Sequence, residues 1–232
     1  MKLKQINGVV IDLSDVPGFS DLFDANRGEA ILNEVNGDYY QRCTTGGEIA
    51  LDVGANLGWI SLYLAPAFKT LYAVEPSPEC CAMIKAICSA KGISNIIVCQ
   101  EAIVAKDGDT TIHTFPGDTM RNSIYKYNEP GCTGSFKIKG STLSSFMAAR
   151  GIESVDFLKM DIEGAEMDII MGEDFNLAGN KIKAIYVEIH EFFSGDYRNI
   201  LQFSQTIQNR LRERGFTVSH FAAPYFTLGI RK

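Results

Sequence analysis

From residue 48 to about residue 190 the chain alternates short apolar, β-branched runs with longer helical patterns, and that alternation leaves few architectures open. Residues 48–53 read as a buried strand that ends in the glycine-bearing turn Gly54-Ala55-Asn56-Leu57-Gly58. A helix over about 57–64 closes at Pro66, and 70–74 form a second strand. Ser77, Pro78 and Glu79 then supply an N-cap, a first-position proline and a first-turn acid, and Lys91-Gly92 ends that helix. Residues 95–99 are a third strand. Strand, helix, strand, helix, strand at this spacing is what the right-handed crossovers of a parallel sheet produce.

Between about 103 and 140 the pattern changes. Residues 110–115 and 135–139 look like antiparallel strands around a polar loop, 116–134, whose length marks a functional segment in a compact domain. A helix over 142–149, a fourth parallel strand over 155–160, a helix over about 165–171 and a fifth strand over 182–189 follow. Residues 196–213 suggest a long helix, and 216–221 with 225–230 pair as a closing hairpin. The expectation is one α/β domain over 1–232: a less regular cap over 1–47, then a core over 48–232.

Composition narrows the function classes. The 232 residues are 46% hydrophobic and 22% charged, enough apolar material for one large core. A formal charge of −6 supplies no global basic field, so neither nucleic acid nor an anionic membrane is an expected partner. No stretch approaches the roughly 18 apolar residues of a membrane span. Met1–Asn7 carries basic residues with no apolar core behind it, which argues against a signal peptide and for the cytoplasm. The six cysteines (Cys43, Cys80, Cys81, Cys88, Cys99, Cys132) include an adjacent pair and no Cys-x-x-Cys, so they are expected as reduced, buried thiols.

Sheets of this kind bind ligands outside the carboxyl ends of their strands. The first strand ends in Asp52, Gly54, Ala55, Asn56 and Gly58, where Gly54 permits a tight turn and Gly58 close helix packing. The second ends in Glu75-Pro76; Glu75 stands 21 residues after Gly54, where a carboxylate grips vicinal ribose hydroxyls. The third is followed by Glu101-Ala102, placed to touch an adenine edge. A dinucleotide needs the middle glycine of Gly-x-Gly-x-x-Gly, and Asn56 stands there instead. S-adenosylmethionine carries no phosphate, and Asp52 before the turn suits its ammonium, so the balance favours that cofactor. The fourth and fifth strands end in Asp161-Ile162-Glu163 and Glu188-Ile189-His190. Alternation puts Asp161 with Glu163, and Glu188 with His190, so three carboxylates and an imidazole face one cleft edge. Catalysis, a structural network, or a magnesium or calcium site are all open to such a set, the metal being the least favoured.

Together, Asp52-Val53-Gly54-Ala55-Asn56-Leu57-Gly58, Val74-Glu75-Pro76, Thr142-Leu143, the run from Val155 through Lys159-Met160-Asp161-Ile162-Glu163-Gly164-Ala165-Glu166, and Glu188-Ile189-His190 resemble the FkbM family of methyltransferases. The resemblance covers residues 48 to about 190. It implies a Rossmann-like class I methyltransferase fold, a mostly parallel seven-stranded sheet with an antiparallel last strand and helices on both faces, and S-adenosylmethionine as donor. It also implies hydroxyl oxygens of sugars, polyketides or other natural products as acceptors, with amide nitrogens of peptide side chains as the alternative. One departure is Ser144, where the family often has an acid after Thr-Leu.

An alcohol acceptor needs help to lose its proton. His190 is the first candidate base, with Glu188 orienting it or binding substrate, Asp161 near the methionine end or the methyl, and Glu163 near the acceptor. Tyr39, Tyr40, Trp59 and a loop bearing Arg121, Asn122, Tyr125 and Tyr127 are candidates for shaping the acceptor pocket, while His113 and His220 read as structural. A nicotinamide oxidoreductase and a catalytically idle nucleoside-binding scaffold are the competing classes. The intact acids of the last two strand ends argue against the scaffold.

Overall fold

The computed structural model describes residues 2–19, 21, 46–126, 131–190, 197–221 and 225–231, with the side chains of 197, 198, 220 and 221 excepted. Strand β3 (Gly47–Val53) is buried on both faces over its last four residues, as a central parallel strand must be. It pairs in parallel with β4 (Phe68–Val74) on one side and β9 (Val155–Met160) on the other; β5 (Ile96–Cys99) and β10 (Ile182–Glu188) extend the sheet outward. The hairpin β11 (Thr217–Phe221) and β12 (Phe226–Ile230) completes it, giving the order β5-β4-β3-β9-β10-β12-β11 with β12 antiparallel to both neighbours. Register is what positions the site. Val53 stands opposite both Val74 and Met160, Val74 opposite Cys99, and Met160 opposite Val187, so five strands finish level.

Alternate residues of these strands face different layers. Ala50, Leu71, Ala73 and Phe157 pack with helices α1 (Trp59–Leu64) and α2 (Pro78–Lys91). Leu51, Val74, Leu158 and Ile185 pack with α3 (Leu143–Ala148), α4 (Glu166–Met171), α5 (Phe175–Ala178) and α6 (Tyr197–Glu213). Helix α2 starts as its sequence dictates, with Ser77 accepting from the Cys80 amide and Pro78 next, and it stops at Gly92, whose φ is +66°. The N-terminal hairpin of β1 (Lys2–Lys4) and β2 (Val10–Asp12) joins the first layer: Leu3, Leu13, Val16 and Phe19 are buried there, and Gln5 donates to the Leu62 carbonyl (2.9 Å).

Besides the β1–β2 hairpin, which the sequence shows only as an irregular cap, two elements are additional to those read from the sequence. Ala102–Ile103 (β6) pairs in parallel with β8 (Gly134–Ser141), which pairs antiparallel with β7 (Gly108–Thr114), making a separate three-stranded sheet. Two residues carry no period, so nothing in the sequence marks β6; the single turn α5 is too short for the same reason. Ser144 also acquires an account: its amide and hydroxyl both donate to Asp174, so an acid comes from a distant turn. Cys80, Cys81, Cys88, Cys99 and Cys132 are free, and burial pushes the Cys80 and Cys81 thiols up to about 12. Among the described residues no helix is long and apolar enough to cross a membrane. Asp38, Tyr39, Tyr40, Cys43 and Tyr127 lie outside the described residues, as does the His220 side chain.

Candidate active site

Because the strands finish level, the residues after each of them open onto one cavity. Gly54 turns the chain out of β3 with φ +79°, and a Cβ on it would lie 1.7 Å from the Asp161 carbonyl oxygen. Only glycine lets the ends of β3 and β9 approach so closely. Ala55 and Asn56 then line the cavity, Asn56 with a left-handed φ of +49°. That conformation aims the Asn56 amide at Glu75 Oε2 (2.8 Å), and the Ser77 amide meets Oε1 (2.8 Å). Burial pushes the Glu75 carboxyl up to about 7, against the pull of those two amides. Pro76 and Ala102 complete this wall, and Trp59 and Ile60 supply apolar surface.

Three of the expected cofactor residues do other work. Asp52 is 1% exposed and does not line the cavity; its carboxylate accepts from Ser61 Oγ (2.6 Å) and pairs with Lys159 Nζ (3.4 Å), holding the turn from within. Its alternation along β3 points it into a helix-covered layer, which a strand-end reading overlooks. Gly58, with φ +83°, is a packing position: a Cβ would meet Ile84 Cγ1 of α2 at 2.9 Å. Glu101 borders the cavity, but its carboxylate is committed to Ser141 Oγ (2.7 Å), Lys139 Nζ (3.1 Å) and the Arg150 guanidinium. Burial would raise that carboxyl; these three donors outweigh it and hold it below the ordinary range.

The other end of the cavity is built by β9 and β10. Lys159, 2% exposed, reaches the Gly54 carbonyl (2.9 Å), Asp161 Oδ2 (3.1 Å) and Asp52. Burial favours its neutral form, but the flanking carboxylates win and raise its pKa, so it is a permanent cation that knits β3 to β9. Asp161, Glu163 and Glu188 all border the cavity, as the sequence predicts. Glu163 is one of two non-glycine residues with positive φ among those described (+56°); the other is Asn56, and backbone strain of this kind clusters at functional sites. Burial pushes the Glu163 carboxyl up to about 7.

His190 requires a correction. It does not line the cavity as a neutral imidazole. Nδ1 lies 3.0 Å from Glu166 Oε1, and Nε2 lies 3.7 Å from Glu163, 3.7 Å from Glu188 and 3.9 Å from Asp161. Burial opposes its charge, but Glu166 and then Glu163 and Asp161 raise its pKa well above 6.5. The surrounding carboxylates thus favour the imidazolium, which has no lone pair to accept a proton. Glu166, 1% exposed, is its anchor; the same carboxylate accepts from the amides of Ile162 (2.9 Å) and Gly164 (3.1 Å). Asp161, Glu166 and His190 each bring one ligand atom within 4.8 Å of the others. Glu166 Oε1 nevertheless already takes an amide and the ring nitrogen, so the set is closed on itself and does not fit a divalent cation.

Lys159 and Glu166 lie inside the motif that the sequence presents, but only burial reveals their work. The sequence marks the roof only as a polar functional loop, and of the candidates named on it Asn122 reaches the cavity. Residues 115–125 bring Thr119, Met120, Asn122, Ser123 and Ile124 onto the cavity. Arg121 instead stacks over the Phe115 ring (4.1 Å) and Tyr125 donates to Asp168. His113 lies on β7, and its backbone bridges Ser123.

The sheet order, the level strand ends and the glycine turn facing Glu75 define a class I methyltransferase fold. The chain matches the methyltransferase FkbM domain over residues 52–218, and it belongs to that family. It is 26% identical over 156 residues to the 2-O-methyltransferase NoeI of Sinorhizobium fredii, covering 60% of this chain and 62% of that protein. It is 24% identical over 191 residues to Methyltransferase 1 of Beauveria bassiana, covering 73% and 72% respectively. The chain thus spans less than two thirds of the first relative's length. Among solved structures, the Streptococcus mutans protein SMU.1697c in complex with SAH aligns with a TM-score of 0.50 at 10% identity, over 86% of this chain and 97% of that one.

Proposed function

We propose that this chain transfers the methyl group of S-adenosylmethionine to a hydroxyl oxygen of a sugar-like or other natural-product acceptor, with Glu163 as the base. The observation that carries the reading is the pairing of two carboxyls at opposite ends of one cavity. Glu75, hung on the Asn56 and Ser77 amides, accepts from the ribose hydroxyls; Glu163 faces the acceptor. Ala55, Asn56, Pro76 and Ala102 flank the nucleoside, while Asp161 attends the methionine ammonium in place of the buried Asp52. When bound, the cofactor supplies an electrophilic methyl group on a cationic sulfur.

The chain's own residues position the acceptor and manage its proton. In-line displacement demands alignment, which the rigid strand ends supply. A carboxyl with a pKa of about 7 is poised to take the hydroxyl proton at neutral pH. Glu188 borders the same region and orients the acceptor, with Lys159 paired to Asp161 and His190 beside Glu188. The Sinorhizobium relative, named a 2-O-methyltransferase, supports an oxygen acceptor.

The test is direct. S-adenosylhomocysteine should bind by calorimetry and NADH should not, and tritiated methyl should pass from the donor to members of a panel of glycosides and hydroxylated polyketides. NADH binding would return the oxidoreductase reading. Cofactor binding with no transfer to any hydroxyl, but transfer to glutaminyl or asparaginyl peptides, would replace the oxygen by an amide nitrogen.

A further inference from the structure

The segment 115–125 is fastened at several points, and two of them are the strained residues of the cavity. At one end Thr119 Oγ1 donates to Asn56 Oδ1 (3.2 Å). At the other, Ser123 Oγ donates to the main-chain carbonyl of Glu163 (2.6 Å). Ser123 is 2% exposed, and its position is over-determined: its amide and carbonyl exchange hydrogen bonds with His113 (3.1 and 2.7 Å), and its Oγ accepts from the Tyr125 amide (3.0 Å). A left-handed glutamate costs on the order of 1–2 kcal/mol and persists only where its surroundings hold it. On the other side, Gly164 and Ile162 are tied to Glu166, and Ser123 holds the Glu163 carbonyl between them.

We propose that Ser123 is a positioning residue for the reaction: its hydroxyl locks the Glu163 main chain in the left-handed conformation that directs the carboxylate at the acceptor oxygen, beside the transferred methyl group. This rests on the methyltransferase reading above. It also makes the roof part of the catalytic apparatus, because the strand of the small sheet that carries His113 sets where Ser123 sits, and Ser123 sets where Glu163 points.

Sinefungin tests this without a known acceptor. It matches S-adenosylhomocysteine except for an amine on the carbon that replaces sulfur, so its ammonium sits at the position of the methyl group. The unaltered protein should prefer sinefungin to S-adenosylhomocysteine by about tenfold, the worth of one charge-assisted contact. Ser123→Ala and Glu163→Gln should each abolish that preference while leaving S-adenosylhomocysteine affinity within threefold (about 0.7 kcal/mol). The double variant should lose no more than Glu163→Gln alone. Should Ser123→Ala not fold, the isosteric pair Ser123→Thr and Ser123→Val decides, with threonine keeping the preference and valine losing it. A Ser123 variant without the hydroxyl that retains the preference, or losses that add in the double variant, would overturn the assignment. Failure of the unaltered protein to bind S-adenosylhomocysteine would instead overturn the cofactor reading, and this assignment with it.

Discussion

Replacing His190 by glutamine separates a counter-charge from a base. The imidazolium is ringed by four carboxylates, and its contact with Glu166 is the shortest, at 3.0 Å. Removing one partner of a buried ion pair costs about 3–5 kcal/mol, because the other charge is left behind. Glu166 keeps the Ile162 and Gly164 amides, which places the cost at the lower end, about 3 kcal/mol. A chain of this length loses roughly 2–4 °C per kcal/mol, so melting should fall by about 6–12 °C. The sign of the pH dependence follows from the raised pKa in the folded state. The ring's contribution is fully present below about 6.5, the unfolded value, and is lost as pH rises through the folded value. Calorimetric scans of the two proteins should therefore differ most near pH 6 and converge in alkali. Adding Glu166→Gln should recover part of the loss, since the carboxylate nearest the ring is then no longer left without its partner. A difference under about 2 °C at pH 6, or a His190 ring that deprotonates between pH 6 and 7.5 by NMR, would refute the reasoning and restore the histidine as base.

Three further outcomes follow from the same geometry. Gly54→Ala forces a Cβ to 1.7 Å from the Asp161 carbonyl at φ +79°, so the turn must break; S-adenosylhomocysteine binding measured by calorimetry should be lost with about 3 kcal/mol or more of stability. Because Glu75 ionises at about 7 and ribose hydroxyls need its charged form, S-adenosylhomocysteine affinity should climb with pH toward 7 and level above it; Glu75→Gln should bind more weakly and show no slope. Glu163→Gln should lower methyl transfer by about 10²–10⁴-fold at unchanged cofactor affinity, and the unaltered enzyme's kcat/KM should rise to a plateau near pH 7.

Much of the fold was legible because the signals are local. Ser77-Pro78-Glu79 and Gly92 bound α2 in the sequence as they do in the structure, and residues 155–160 show their strand by composition alone. The strand-end positions of Glu75, Asp161, Glu163 and Glu188 follow from the parallel alternation. Side-chain commitments do not, since they depend on what packs across from them. Asp52 and Glu101 look like free acids in the chain, yet Ser61 and Lys159 claim one, and Ser141, Lys139 and Arg150 the other. His190 was legible as a site residue but not as a cation, because its charge is set by Glu166, a residue 24 positions away. Ser123 carries no sequence signal at all; its role arises only when a loop is laid over a strand end.

The small sheet leaves the main one after β5 and returns to it before α3, and its return is marked by Glu101 bound to Ser141, Lys139 and Arg150. Everything between those anchors is an excursion, and it carries the roof residues Ile112, Thr119, Met120, Asn122, Ser123 and Ile124. That stretch supplies no strand to the seven-stranded sheet, so its length is not fixed by the sheet's register. On the role proposed for Ser123, the point a change of length must spare is the serine's contact with Glu163. Substrate choice and chemistry would then diverge at different rates along the same chain, the first written in the graft and the second in the trunk.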